Sequence, residues 1–201
     1  MKIYTVFRFF VTLSGFGALA ACGSITAGGL IAASKLDPVN TPPGEISVAL
    51  GVPKSLQLTD GDAGLSMAFK SESSAPPLQF EEFAALVIEA SGANGPQAST
   101  EEEHVFVARV SPADVPAIAA VQAKIRDLRA RGVDGEGSLS IHLVGGCYAG
   151  EKPERIAVST WLRTDSSAEF VQLTRRTDVE QFIGARDAAL LRTNLRPCPK
   201  G

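Results

Sequence analysis

Alternation of polar and apolar residues runs through most of the chain between residues 45 and 173. A period of two is typical of half-buried β-strands, and here it recurs in short segments separated by turn residues. The segments are 45–50, 55–59, 65–69, 105–110, 138–144, 156–162 and 170–173. Residues 78–91 fit a helical stripe or a buried strand, and we favour a strand at their end. Asp60-Gly61 predicts a hairpin between 55–59 and 65–69.

One segment carries clear helical periodicity. Ile118, Val121, Ile125 and Leu128 recur at spacings of three and four, which places them on one helix face. A proline at position 116 is tolerated only in the first turn, so the helix is predicted to begin between residues 112 and 115.

The ends of this helix and a second, closing helix carry capping signals. Ser111, Pro112 and Asp114 offer N-cap chemistry, and Gly132 stands where a left-handed C-terminal cap belongs. Thr177 and Glu180 form a capping-box pattern for the closing helix. That helix is predicted to run through three apolar residues, Phe182, Ile183 and Leu190.

These elements together predict an α+β domain. We expect a mostly antiparallel sheet of about seven strands with two helices, at about 111–131 and 178–191. Strands that follow one another along the chain favour antiparallel pairing, and the helices would cover one side of the sheet.

The first residues have the pattern of a targeting segment. Lys2 and Arg8 precede an uncharged, mostly apolar run at 9–21. This run of 13 residues is too short for a membrane-spanning helix, which needs about 20, and it is typical of a signal-peptide core.

At the end of that run stands Leu19-Ala20-Ala21-Cys22. This tetrapeptide resembles the lipobox of bacterial lipoproteins. The resemblance implies that the Cys22 thiol receives diacylglycerol, that the signal peptidase cuts before Cys22, and that the new amino terminus is also acylated. Several acyl chains hold a protein durably on a membrane. The alternative is an ordinary secretory signal that leaves Cys22 as a plain thiol.

The predicted organisation is therefore a signal peptide at 1–21, a flexible tether at 22–44 and one globular domain at 45–201. The tether is rich in Gly, Ala, Thr and Pro and has no sustained periodicity. Gly23 and Ser24 follow the cysteine, and the absence of Asp there implies the periplasmic face of the outer membrane if the host is Gram-negative.

The charge balance argues against nucleic-acid binding. Cleavage before Cys22 removes two of the 19 basic residues and none of the 22 acidic ones, which leaves a net charge of about −5. The remaining basic residues are scattered or in short pairs, so no basic surface is predicted.

Two further cysteines, Cys147 and Cys198, remain in the predicted domain. In the oxidising cell envelope an even pair is expected to form a disulfide. The alternative makes Cys147 a nucleophile activated by His142 or His104. It is disfavoured because His142 lies an odd number of residues before Cys147 on a predicted strand, and no orienting acid stands nearby.

The run Glu101-Glu102-Glu103-His104 places three carboxylates beside an imidazole, which are possible ligands for a divalent metal. Adjacent residues rarely converge on one ion, so we favour a solvated acidic loop that leads into a strand. No metal site and no cofactor are predicted.

A second cluster, Trp161 and Phe170 with Arg163, Arg175 and Arg176, could line a binding face, although such aromatic residues are more often core. The chain carries none of the common serine-nucleophile or phosphate-loop motifs.

The sequence therefore predicts a membrane-anchored envelope lipoprotein that acts as a non-catalytic binding, assembly or structural module. The alternatives are an envelope hydrolase with a dispersed active site and an accessory lipoprotein of a transport or secretion assembly. Envelope protein partners are possible in each case, and the oligomeric state is not predicted.

Overall fold

The computed structural model describes residues 36–72, 76–89 and 95–199. The predicted signal peptide and Cys22 lie outside the described residues, as does most of the predicted tether. The elements, in chain order, are a 3-10 turn at Pro43–Glu45, β1 (Ser47–Pro53), β2 (Leu56–Gln57), β3 (Ala63–Ser71), β4 (Leu78–Ile88), β5 (Glu103–Val110), α1 (Val115–Ala130), β6 (Glu136–Leu143), β7 (Cys147–Tyr148), β8 (Ala157–Arg163), β9 (Val171–Asp178), α2 (Val179–Asn194) and β10 (Arg196–Pro197).

Seven of these strands form one sheet in the order β6-β3-β4-β5-β1-β8-β9. Every neighbouring pair in it is antiparallel. The three two-residue strands form a second, small sheet in the order β10-β7-β2. The predicted α+β class, with about seven antiparallel strands and two helices, is confirmed.

Strand alternation gives the large sheet two different faces. In β1, Val48, Leu50 and Val52 are fully buried in a cluster that also contains Ile125 of α1 and Leu191 of α2. We call this side the helix face. The opposite side, called the outer face, carries the intervening residues of β1, which are Ser47, Ala49 and Gly51.

The predicted hairpin at Asp60-Gly61 is wrong. β2 pairs with β7, while β3 pairs with β4 and β6. The turn exists, but it does not connect two paired strands. The Asp60 carboxylate accepts a hydrogen bond from the backbone N–H of Ile88 in β4. The Asp62 carboxylate accepts one from the backbone N–H of Thr59 within the turn. These contacts tie the turn to β4 and send the preceding residues away from β3.

Helix α1 follows its sequence signals closely. It begins at Val115, within the predicted window, and Gly132 adopts φ +74° beyond its C-terminus. Asp114 occupies the N-cap position but makes no capping bond; its carboxylate instead accepts a hydrogen bond from the backbone N–H of Ala85. The helix is thereby fixed to the end of β4.

Helix α2 departs from its predicted pattern. Asp178, the last residue of β9, caps the helix by accepting a hydrogen bond from the N–H of Glu180. The Thr177 hydroxyl, which was predicted to form the cap, instead donates to the carbonyl oxygen of Arg175. Gly184 is non-helical, with φ 79° and ψ 164°. This break divides α2 into two helical segments. The predicted residues Phe182, Ile183 and Leu190 are exposed, while Val179, Ala188 and Leu191 are buried.

Residues 36–44, predicted to belong to the tether, pack against α1. The Gln122 side chain donates hydrogen bonds to the carbonyl oxygens of Pro38 and Thr41, at 2.6 and 2.7 Å. Arg126 donates to the carbonyl of Val39, whose side chain is buried in the core. The predicted boundary at residue 44 therefore does not coincide with the start of packed structure, since the proline-rich segment forms a turn at 38–40, which hydrogen bonds to the Asp37 carbonyl oxygen close.

Candidate functional site

Cys147 and Cys198 form a disulfide, as predicted. β10 pairs with β7 in parallel, which brings the two cysteines together, and the N–H of Cys198 donates to the carbonyl oxygen of Tyr148 at 2.9 Å. The alternative in which Cys147 acts as a nucleophile is thereby excluded in this structure, because its sulfur is already bonded.

His142 has a different partner from the one considered in the sequence. Its Nε2 lies 2.7 Å from the hydroxyl oxygen of Ser66, on the outer face of β3 and β6. The Phe83 ring lies beside the imidazole, with 5.8 Å between centroids, and a Cβ on Gly64 would overlap that ring. Ser66 is therefore covered, with 2% of its surface exposed.

Residues from the two other clusters named in the sequence, the acidic run and the aromatic and arginine cluster, lie on the outer face of β5, β1, β8 and β9. Register defines the rows of this face. Val107, Ala49, Trp161 and Gln172 are opposite one another in one row, and Val105, Gly51 and Ser159 form the next. Glu103 lies opposite Pro53 at the end.

A strap formed by residues 95–102 crosses this face. A Cβ on Gly95 would lie 2.9 Å from Val107 Cγ2, and the Ser99 hydroxyl accepts a hydrogen bond from the Gln172 amide at 3.1 Å. These two contacts are at opposite ends of one row, three strand spacings or about 14 Å apart. Four extended residues span about 13 Å. The strap therefore passes over Trp161, which is 4% exposed.

Polar contacts hold the strap in place. The hydroxyl oxygens of Ser99 and Ser159 are 3.2 Å apart, and Arg176 bonds to Thr100 and Glu102. All eight residues of the strap are exposed or half-buried. A segment secured by hydrogen bonds and one exposed ion pair, rather than by buried apolar area, belongs to the less stable parts of a fold.

Glu103 is the feature of this face that sequence reasoning missed. Glu101 and Glu102 are exposed, as a solvated loop predicts, but Glu103 is 5% exposed. Its Oε2 accepts the Ser99 backbone N–H at 2.6 Å, whereas Oε1 is buried without a hydrogen-bond partner among the described residues. The carboxylate occupies the space above Gly51, where a Cβ would lie 2.5 Å from Oε1. The available signal was strand parity, which places Glu103 on the face of Val105 and Val107.

His104 takes no part in this arrangement, because alternation turns it to the helix face, where it stacks on Phe106 at 4.5 Å. The four neighbouring residues 101–104 therefore do not converge. Across the described residues, no group of three or more His, Cys, Asp or Glu side chains is placed to hold a metal ion.

The aromatic and arginine cluster is divided by the structure. Arg163 lies over the Phe170 ring at 4.4 Å and donates to Ser47, while its buried Nε has no partner within the described part of the chain. Arg176 lies at the other end of the face with the strap, and Arg175 is exposed. The expected single binding face is thus two arginine sites separated by Trp161.

Comparisons with known proteins return no relatives. No family profile matches the chain, and neither the curated proteins nor the solved structures contain a match.

As a chemical site, the part of the outer face around Trp161 offers acceptors and hydroxyl groups beside an aromatic ring. The serines of this part, Ser99 and Ser159, hydrogen-bond to each other, and the nearest histidine in the sequence, His104, faces the opposite side. This arrangement suits binding through hydrogen bonds better than nucleophilic attack, which requires a base in contact with the nucleophile.

Proposed function

We propose that this chain is a cell-envelope lipoprotein, acylated on Cys22, whose domain acts as a non-catalytic binding, assembly or structural module. The observation that carries the proposal is the disulfide-closed domain, which follows a tetrapeptide, Leu19-Ala20-Ala21-Cys22, that resembles a lipobox. Disulfides persist in oxidising compartments and are rare in the cytosol, so the Cys147–Cys198 bridge supports export.

The anchoring geometry is compatible with work close to a bilayer. Within the described residues, no helix has the length and apolar character to cross a membrane. Cys22 and Leu36 are 14 positions apart, so in any conformation the distance between them is less than about 50 Å. A lipid on Cys22 would keep the domain within that distance of the membrane, at the periplasmic face of the outer membrane in a Gram-negative host.

A binding role is favoured over catalysis by the state of the candidate nucleophiles. Cys147 is bonded to Cys198, and the Ser66 hydroxyl is covered. The binding face that we propose is the part of the outer face around Trp161, with its buried Glu103 and its strap.

The test compares the wild-type chain with Cys22→Ala in a bacterial host by intact mass and membrane fractionation. We expect wild type in the membrane fraction, with residues 1–21 removed and the mass of the acyl chains added. Cys22→Ala should lose the lipid and accumulate as uncleaved precursor. An unlipidated, soluble wild-type chain would refute the proposal.

A second candidate, an envelope hydrolase, is favoured by one observation, the 2.7 Å contact between Ser66 and His142. A serine hydroxyl that is hydrogen-bonded to an imidazole forms part of the catalytic site of many hydrolases. In those sites a carboxylate orients the imidazole, whereas the described residues place no carboxylate on His142. We expect a fluorophosphonate probe to leave the wild-type protein unlabelled. Labelling that Ser66→Ala abolishes, and Ser140→Ala preserves, would instead establish the hydrolase.

A further inference from the structure

The two edges of the seven-stranded sheet are built differently. β9 is interrupted by register shifts against β8 and carries Arg175 and Arg176, the latter with φ 41°. Charges and irregular backbone are the usual protection of an edge strand. β6 has neither: it pairs with β3 through eight consecutive residues without a bulge, and its only formal charge is Glu136.

Among the described residues, no strand pairs with the second side of β6. Glu136, Gly137, Ser138 and Ser140 are exposed. In an antiparallel strand every second residue directs its N–H and C=O away from the neighbour, so within the described part of the chain β6 presents a row of backbone donors and acceptors that no other strand uses. A regular edge of this length is a template for another strand.

Apolar side chains extend to this edge. Leu139, Ile141 and Leu143 pack against the core but are only half-buried. Val144, directly after the strand, is 42% exposed, and Phe83, beside His142, is 47% exposed. An added strand would cover part of this apolar surface as well as the backbone.

We propose that β6 is a self-association edge, on which a second copy of this chain adds its own β6 in antiparallel orientation about a two-fold axis at Ser140. In this register Leu139 faces Ile141 and Ser138 faces His142. Apolar residues then meet on the helix face and polar residues on the outer face, as parity requires.

Charge favours the second copy as occupant, and the area predicts weak association. Glu136 would lie opposite Val144, so no like charges face each other across the axis, whereas two β9 edges would bring arginines together. A pair of strands buries less than about 1,000 Å², which is typical of weak association. The dimer is therefore expected at high local concentration and is best trapped by crosslinking.

Cysteine crosslinking of the full chain in intact cells tests the register. Ser140→Cys places two thiols directly opposite each other, with Cβ atoms about 5 Å apart. Ser138→Cys, an equally exposed serine on the same face, would be about 13 Å from its own copy, but opposite residue 142. With copper-phenanthroline, we expect at least fivefold more disulfide dimer from Ser140→Cys than from Ser138→Cys, and recovery in Ser138→Cys/His142→Cys.

A charge at the axis provides the complementary test. Ser140→Asp, added to the Ser138→Cys/His142→Cys pair, sets two carboxylates against each other and should reduce the crosslinked dimer at least fivefold. Because Ser140 is exposed, thermal unfolding should be unchanged. Equal yields from Ser140→Cys and Ser138→Cys would overturn the proposal, as would an adduct with a different protein in place of the dimer. Cys22 is common to all variants and cannot create the difference.

Discussion

At the scale of single residues, the most consequential contact is that between Glu103 and Gly51. The carboxylate occupies the volume that a side chain at position 51 would need, and its Oε2 holds the N–H of Ser99 in the strap. A buried acceptor left without a donor costs free energy, so Oε1 marks a place where the fold gives up stability. The two residues therefore determine how the strap lies on the sheet.

A double-mutant cycle checks this pairing. Gly51→Ala should lower the free energy of unfolding by about 1–3 kcal/mol, because its Cβ collides with the carboxylate. Glu103→Ala should cost about 1–3 kcal/mol through the lost bond to Ser99. In the double variant the new methyl occupies the vacated space, so chemical denaturation should show a loss smaller than the sum by about 1 kcal/mol or more. Additive losses would show that the two residues are not in contact.

The carboxyl group of Asp165 has a clearly perturbed pKa. Hydrogen bonds from the Ser167 backbone N–H and then from its hydroxyl hold the pKa of the Asp165 carboxyl below its ordinary value. Since the folded pKa is lowered, its contribution to stability is present above the unfolded pKa and is lost as pH falls through the folded pKa. Ser167→Ala should raise the Asp165 pKa part of the way back, as followed by carboxyl NMR titration. Ser166→Ala is the control and should leave it unchanged.

Whether the contacts of a single residue can be predicted from the sequence depends on whether its partners are close in the sequence or are limited by residue type. The disulfide was predictable because, once Cys22 is assigned to the tetrapeptide that resembles a lipobox, Cys198 is the one cysteine left to pair with Cys147. Burial of Glu103 was not, since it depends on a glycine 52 positions away and on the strap that covers both. The helix cap is Asp178 rather than Thr177, whose hydroxyl donates instead to the carbonyl oxygen of Arg175.

At the scale of elements, alternation and helical periodicity were sufficient to locate the long strands and α1. They failed where pairing or phase is set by distant contacts. β2 was assigned to a hairpin with β3, yet it pairs with β7, 90 residues further along the chain. In α2 the apolar pattern was read as one continuous helix, whereas Gly184 divides it.

Replacing Gly184 tests the importance of that break. Its φ of 79° with ψ of 164° is a backbone region that only glycine adopts readily. Gly184→Ala should therefore lower the free energy of unfolding by about 1–3 kcal/mol. Gly44→Ala is a matched control: a Cβ there meets nothing within 4 Å, so its effect should stay within about 0.5 kcal/mol. Stabilisation by Gly184→Ala would mean that α2 straightens without cost.

At the scale of the whole molecule, the disulfide closes a loop of 51 residues that contains β8, β9 and α2. In the chain-entropy model such a loop stabilises the fold by about 4 kcal/mol. Cys147→Ala, Cys198→Ala and the double variant should each lose about that amount in chemical denaturation. If the single variants differ from the double variant by more than about 1 kcal/mol, a free thiol has acquired a role of its own.

The same loop determines how the molecule carries force. A pull between the anchored N-terminal side and the C-terminal end runs along the chain only as far as Cys147 and then crosses the sulfur bridge to Cys198. Strands β8 and β9 and helix α2 lie outside that line, so tension cannot extend them while the bridge is intact. β1 through β6 bear the load, and reduction would add the 51-residue loop to the extensible length. With the membrane anchor that we propose at one end, the bridge would therefore limit how far the protein can be stretched.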